Sequence, residues 1–418
     1  MTPNPAIMQA VEKLGYRVTV GDVAAQAGLN VELASQGLLV LASEASGHLQ
    51  VAESGDIVFQ FPQNFRDILR NKYLRLQLQE WWQKIWQVLF YLIRISFGVL
   101  LIASIAIIYL TILVIIISLN SDRDDNNDRG GNWGGFFYFP DLFWYFSPDY
   151  GYQHREKTRE KSDFNFLEAV FSFLFGDGNP NSKLENRRWR EIGKVIRQNR
   201  GAVVAEQIAP YLDNLGEKSQ QEYEDYMLPV LTRFNGKPEV SQEGQLVYYF
   251  PDLQVSAKQK NPEKISSYLE EFLWKFSAAS SGQIMLSAGL GAVNLVGALV
   301  LGSLLRGGAI AASLGGLVAL VQAVYWLLLA YGIGFLAIPL GRYVWIQWRN
   351  SQIIARNRDR SSRAKLLTGA DKNLSQKIAF AQQFASEKVI SQADSIYSTQ
   401  TDLLEQEFPQ EESDSQTD

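Results

Sequence analysis

The chain contains no cysteine and only two histidines, His48 and His154, among its 418 residues. Without thiols it offers no disulfide framework, no thiolate zinc site, no cysteine nucleophile and no cysteine ligands for an iron–sulfur cluster. The two histidines leave little for a metal site or a catalytic base: His48 reads as a surface residue opening a strand, and His154 sits in a basic linker. There is no P-loop. Gly289 and Gly291 superficially resemble a nucleotide-binding pattern, but the run is apolar and no strand precedes it, so they read as packing residues. The acidic cluster Asp122, Asp124, Asp125 and Asp128 lacks the glycine and distal glutamate of a calcium loop. No catalytic residue, cofactor site or metal site is expected, and the protein reads as a non-enzyme.

Charge is also missing from long stretches. Residues 96–119 carry none, over the length of about 20 apolar residues that a bilayer core requires. This run lies behind a folded-looking segment, so it reads as a permanent span and not as a cleaved signal. A Gly-rich block at 281–346 holds two or three further spans. Between Gln283 and Gly341 there is no acidic residue and no lysine, and Asn294 and Gln322 are the clearest polar positions. Ion pathways display buried ionisable groups, so this argues against transport. Pairs such as Ala298 with Gly302 put small residues one turn apart, which suits close helix packing within the chain or in a homo-oligomer. Basic residues precede the first span and follow the last, which places both termini on the cytoplasmic side. Three single crossings cannot satisfy that.

What the chain does have is an internal duplication. Residues 38–62 recur at 227–251 with a constant offset of 189: Leu38, Leu41, Val51, Gly55, Val58, Phe61 and Pro62 match Met227, Val230, Val240, Gly244, Val247, Phe250 and Pro251. In the first copy, 1–62, the pattern predicts a helix over Ala6 to Leu14, a strand over Tyr16 to Val20 and a short helix over Gly21 to Ala27. A longer helix capped by Asn30 runs to about Glu44, and a hairpin turns around Ser54-Gly55. That is the order of a winged-helix domain. The string VTVGDVAAQAG, Val18 to Gly28, resembles the opening of bacterial helix-turn-helix motifs. The second copy, 185–256, repeats the order with a helix over Arg187 to Gln198, a strand over Ala202 to Ala205, a helix over Glu206 to Leu212 and a third helix over Glu217 to Phe234, bent at Pro229. The fold class expected is mainly α with small β-hairpin wings, two winged-helix-like domains joined to transmembrane helices.

Charge then tests the DNA-binding reading such a fold invites. Duplex affinity comes from Lys and Arg neutralising phosphates. Between Val18 and Phe65 there is neither, and over 201–256 three basic residues face nine acidic ones. Both modules would repel a phosphate backbone, so nucleic acid is not the expected partner. The candidate protein-interaction surface comprises Glu32, Ser35 and Gln36 on the third helix of the first copy, with Tyr223 and Tyr226 on that of the second.

Each copy ends in an aromatic-Pro turn and leads into a Trp-bearing segment. Residues 63–95 and 262–280 both show helical apolar periodicity; each reads as an interfacial helix or as a plain continuation of its span. Trp81, Trp82, Trp86, Trp133, Trp144 and Trp274 are the expected membrane-interface residues, and Arg66, Arg70, Lys72, Arg342 and Arg349 the expected lipid-headgroup contacts. Residues 120–184 combine an acidic loop, an aromatic interfacial segment and a short apolar helix too short to cross, expected to lie along the surface. Residues 347–404 read as one charged amphipathic helix, with Leu374, Ile378, Ala381, Ala385, Val389, Ala393 and Ile396 on its stripe, and 405–418 as a disordered acidic tail.

This order of parts, with the FYFPDLFWYF segment at Phe137 to Phe146, resembles a family of uncharacterised integral membrane proteins of cyanobacteria and plastid envelopes. The resemblance implies a plasma or thylakoid membrane location and carries over no catalytic residue. Some plant relatives bear an iron–sulfur biosynthesis label, which the absence of cysteine here does not support. Two functions are expected as alternatives: a membrane scaffold or assembly factor that binds protein partners and lipid, or a small-solute or lipid-handling protein regulated by its winged domains.

Overall fold

The computed structural model describes residues 3–72, 74–121, 165–213, 215–216, 223–258, 264–306, 314–369 and 371–400, so the expectations for Trp133, Trp144 and the tail 405–418 lie outside it. The fold is mostly helical with small antiparallel sheets. It divides into two units, of which the first comprises Met1–Lys84, Asn179–Trp274 and Arg349–Asp418.

The first copy of the repeat forms as its sequence predicts. Helix α1 (Pro5–Leu14) begins where the Asn4 side chain accepts the Ala6 N–H and Pro5 needs no hydrogen bond, and it ends at Gly15, whose φ of 84° suits glycine. After β1 (Arg17–Thr19), Thr19 and Asp22 form a reciprocal capping box that starts α2 (Val20–Ala27). Asn30 caps α3 (Val31–Glu44), and β2 (His48–Ala52) and β3 (Ile57–Gln60) make the hairpin. Strand β3 lies between β1 and β2, antiparallel to both. Next come α4 (Phe65–Lys72), α5 (Leu74–Ser121) and α6 (Phe166–Phe175).

The second copy holds α7 (Leu184–Gln198), β4 (Ala202–Val203), α8 (Ala205–Ile208), α9 (Leu228–Phe234), β5 (Lys237–Val240) and β6 (Leu246–Tyr249). Its sheet repeats the arrangement of the first, with β6 between β4 and β5. Its third helix is shorter than expected: a 3-10 turn at Asp225–Met227 precedes α9, and Pro229 sits in the first turn of α9. There its missing N–H has no helical partner to lose, so it starts the helix instead of bending it. The copies are also not two separate domains. One continuous core joins Ile7, Val11, Leu38 and Phe59 of the first to Trp189, Ile192, Phe234 and Phe250 of the second. Helix α2 packs so closely on α7 that a Cβ on Gly193 would lie 2.9 Å from the Ala25 Cα.

Two expectations for this unit are corrected. Residues 264–280 contain no helix. Their backbone is held by distant amide side chains: Asn357 pairs with both the N–H and C=O of Glu271, Asn350 with those of Trp274, and Asn181 with those of Phe272, all at 2.7–2.9 Å. These bonds replace the i to i−4 ladder that the apolar periodicity suggested. The C-terminal region is not one helix either. After α10 (Pro251–Gln254), β7 (Val255–Ser256) and α11 (Ser281–Leu305), helix α12 (Gly316–Thr368) stops at Gly369, and Asp371 caps a separate α13 (Lys372–Gln382). The chain then becomes extended: β8 (Lys388–Val389) pairs in parallel with β7, and β9 (Ser395–Ser398) adds antiparallel to β2.

A buried charge cluster ties α12 to the extended segment. Arg360, 1% exposed, donates to Glu271 at 2.8 Å, to the Leu269 carbonyl at 2.8 Å and to Asp213, while Arg356 holds both Glu271 oxygens at 2.7 Å. Burial alone would raise the Glu271 and Asp213 carboxyls, but the arginines outweigh it and hold both below the ordinary range.

The second unit comprises Ile85–Gly178 and Lys275–Trp348. Lys84–Leu119 of α5, all of α11 and α12 are the three helices, among the described residues, long and apolar enough to cross a membrane. Helix α5 runs unbroken from Leu74, so Trp81, Trp82 and Trp86 stand on the same helix as the apolar run, and two further such helices begin within 281–346. Ile108, Ile112 and Ile115 of α5 pack on Ala298 and Leu301 of α11 and on Val318 and Val321 of α12. Close approach is made at glycines: a Cβ on Gly302 would meet the Tyr325 hydroxyl at 1.9 Å, and one on Gly291 the Phe335 ring at 2.5 Å. Ser104 of α5 donates to Asn294 of α11 at 2.9 Å. Helix α6 does not lie along a surface; its Val170, Phe173 and Leu174 are buried among Leu101, Leu290 and Phe335 of these three helices. At its C-terminal end Asp177 accepts from Arg94 and the Ala278 N–H, each at 2.7 Å, and Arg342 donates to the Ser172 and Phe173 carbonyls.

Two outcomes are expected in detergent. Arg360→Met should destabilise the first unit by about 3 kcal/mol, because it strands part of a buried ion cluster, and hydrogen exchange should rise over 269–275; unchanged exchange there refutes the role assigned to Arg360. Because both carboxyls titrate lower when folded, their contribution is complete above the unfolded carboxylate range and is lost as pH falls through the folded values. Thermal melts from pH 7 to pH 3 should show this loss, and Glu271→Gln should flatten it.

Candidate interaction surface

The N-terminus of α3 and helix α9 meet directly. Asn30 donates its side-chain N–H to the Thr232 carbonyl at 3.2 Å, and Arg233 donates twice to the Gly28 carbonyl, at 2.9 and 2.8 Å. The Arg233 guanidinium also lies 4.4 Å from the Trp189 ring centroid, so this cation is engaged by backbone and ring. One turn from the contact on either side stand Leu33, 58% exposed, and Leu228, 59% exposed. Glu32, Gln36, Leu39 and Ser43 continue the exposed face of α3 at spacings of three and four. It carries no cation.

Of the residues expected on this surface, Glu32 and Gln36 are exposed and bonded to each other at 2.9 Å, and Ser35 is half-buried. Tyr223 is 73% exposed, but it precedes α9 and is not on it. Tyr226 is half-buried beside the core, and burial first, then Glu224, pushes its hydroxyl far up. Leu33, Leu39 and Leu228 were missed; as apolar positions in helices they are indistinguishable in sequence from core residues.

The expected lipid contacts separate. Arg66 pairs with Glu12 at the surface, Arg70 has partners, and the Lys72 side chain lies outside the described residues. Arg342 is committed to the α6 carbonyls and to the Phe276 ring, 4.4 Å away, and is therefore a structural residue. Arg349 is half-buried. Trp81, Trp82 and Trp86 are more than half exposed, whereas Trp274 is half-buried with its backbone held by Asn350.

Two sites in the first unit bring titratable side chains together. A cleft of about 300 Å³ is lined by Asp22, Lys194, Arg197, Arg200, Gln254 and Glu387. Asp22, 2% exposed, accepts from the Thr19 N–H and hydroxyl, the Ser256 hydroxyl, the Ala257 N–H and, at 2.5 Å, the Arg197 guanidinium. Its lone pairs are filled, leaving none to act as a base. The second site is Lys377, which joins Glu206 at 2.9 Å and Glu224 at 2.5 Å; Tyr248 donates to Glu224 at 2.8 Å and is pushed far up, first by burial. This fastens α13 to the second copy. No group of three or more His, Cys, Asp or Glu among the described residues could hold a metal.

No family model and no solved structure matches the chain. It is 38% identical over 423 residues to an uncharacterised chloroplastic protein of Arabidopsis thaliana, an alignment covering 97% of this chain and 80% of the relative. The chain therefore belongs to the family of that chloroplastic protein.

Proposed function

We propose that the protein is a non-enzymatic integral membrane scaffold or assembly factor whose two repeats are winged-helix domains fused into one protein-binding body. The observation that carries this reading is the shared core with an exposed, cation-free face built where α3 of one copy meets α9 of the other. The winged-helix reading is supported by the helix, strand, helix, helix, hairpin order and by the identical sheet order of β1-β3-β2 and β4-β6-β5. Exposed leucines beside neutral and acidic groups suit a protein partner and repel a phosphate backbone.

Membrane insertion is supported by the three long apolar helices and by their exposed outer faces, such as Leu100, Leu110, Leu299 and Leu327. The chloroplastic relative supports a plastid or cyanobacterial membrane, plasma or thylakoid. The first unit is a packed body made from three stretches of chain, which supports reading all three on one side of the membrane, and the basic residues flanking the apolar runs favour the cytoplasmic or stromal side. The crossings between Trp274 and Arg349 are then even in number, as α11 and α12 supply. Helix α6, with 10 residues, spans only about 15 Å and is too short to cross.

Affinity purification from native membranes should recover a stoichiometric protein partner. Leu33→Glu should reduce its recovery about tenfold, the scale of one central contact, while leaving hydrogen exchange of the core unchanged; undiminished recovery removes this surface. The cysteine-free chain also permits clean thiol labelling of sealed vesicles. Cysteines introduced at Gln63, Gln242 and Ser375 should label from one side and one at Arg306 from the other. Labelling of Gln242→Cys from the Arg306 side would contradict the topology.

A further inference from the structure

The duplication lets one copy serve as the control for the other. At an offset of 189, β2 corresponds to β5, and His48, Leu49, Gln50 and Val51 to Lys237, Pro238, Glu239 and Val240. Both are edge strands of their own three-stranded sheets. In the first copy that edge is filled by β9, with Gln50 opposite Ser398 and Val51 opposite Tyr397. The Leu49 N–H donates to the Thr399 hydroxyl at 2.9 Å, the Thr399 N–H to the Leu49 carbonyl at 3.0 Å and the Glu53 N–H to the Asp394 carbonyl at 3.3 Å. In the second copy the donor of Leu49 is replaced by Pro238, and Val240 is 61% exposed. Proline on an edge blocks strand addition. The two edges have diverged, one able to receive a strand and the other closed to it.

The strand that fills the open edge is unevenly held. Its root is fixed: Ile390 is 1% exposed, Arg17 donates to the Ala257 and Ile390 carbonyls at 2.6 and 2.7 Å and to the Ser391 carbonyl at 3.2 Å, and Lys388 pairs with Asp56 at 3.2 Å. Beyond Asp394 no residue of the strand is buried. Ile396 is 66% and Tyr397 37% exposed, and none of Ser395 to Ser398 enters a buried cluster. Specificity thus resides in backbone and hydroxyl hydrogen bonds, and those are reproduced by an identical segment from another molecule.

We propose that the outer edge of β2 is a strand-docking site whose occupant exchanges, so that residues 395–399 of a second copy take the place of the chain's own. Reciprocal exchange leaves every ladder bond made and no edge exposed, so it costs only the association itself; a foreign strand would have to match the Thr399 hydroxyl contact as well. Retention of the root at Lys388–Ile390 lets only the terminal strand move. The inference does not rest on the scaffold reading, since it concerns contact between copies through β2 and not the α3 face.

The opposed pair Val51 and Tyr397 provides the test, because the chain has no other thiol. Full-length Val51→Cys and Tyr397→Cys variants carrying different tags are co-expressed in membranes and oxidised, beside a Val51→Cys/Tyr397→Cys double variant. The double variant should close its disulfide, showing that the register forms, and the two singles should form a disulfide-linked pair recovered through both tags. Closure within the double variant but no linked pair between singles overturns the proposal. Leu49→Pro in the Val51→Cys chain removes the donor facing β9, as Pro238 does in the second copy, and is compared with Leu49→Ala, which loses the same core-packed side chain but keeps the donor. Relative to Leu49→Ala, Leu49→Pro should lower the linked pair about fivefold, the effect of one lost bond; an undiminished yield attributes the linkage to collision and also overturns the proposal.

Discussion

The buried carboxylate of Asp22 holds three parts of the first unit together. It starts α2 through the Thr19 capping box, receives Arg197 from α7 of the other copy, and accepts from Ser256 and Ala257 at β7. Arg197 reaches on to the Val255 carbonyl, and β7 then sets the parallel register of β8, which places Ile390 and the root of the last strand. A carboxylate taken out of water costs several kcal/mol unless its lone pairs are met. Here that demand is met only when both copies and the segment after the second wing are in place, so the interaction enforces the assembly that satisfies it.

A second set of polar contacts performs a similar task with neutral groups. Asn181, Asn350 and Asn357 each present one acceptor and two donors, the complement of a peptide group, and each clasps an extended residue between Glu271 and Trp274. Aspartate would lose the donor and glutamine would reach too far. With Arg360 and Arg356 on the same helix, Asn350 and Asn357 make the polar end of α12 the surface against which non-helical chain is organised, and Asn181 clasps that chain from the turn before α7.

The first copy was legible because local chemistry and tertiary fold agree there: Asn30 and Thr19 cap helices, Gly15 and Gly28 end them, and the alternation in β2 and β3 matches the sheet. The long apolar runs were equally plain. Legibility failed where distant residues overrule local pattern. Ile265, Tyr268, Leu269 and Phe272 keep a helical spacing, yet partners more than 75 residues away in sequence take the backbone bonds of this segment. Ala385, Val389 and Ile396 continued a helical stripe that ends at Ala381, since Tyr249 stacks on Phe384 and the following chain turns extended. Nor could the union of the copies be read, because a residue such as Trp189 looks the same whether it faces its own core or a neighbouring one.

The fusion of two repeats into one core bears on how such a chain changes over evolutionary time. When Gly193 lies on Ala25 and Gly28 under Trp189, each half becomes part of the other's interior. A duplicated domain ordinarily leaves a spare that can be deleted or recruited elsewhere. Mutual burial removes that freedom: loss of either half would lay bare the apolar surface of the survivor. Duplication followed by burial acts as a ratchet, so divergence is confined to the parts left outside, such as the outer edges of the two wings.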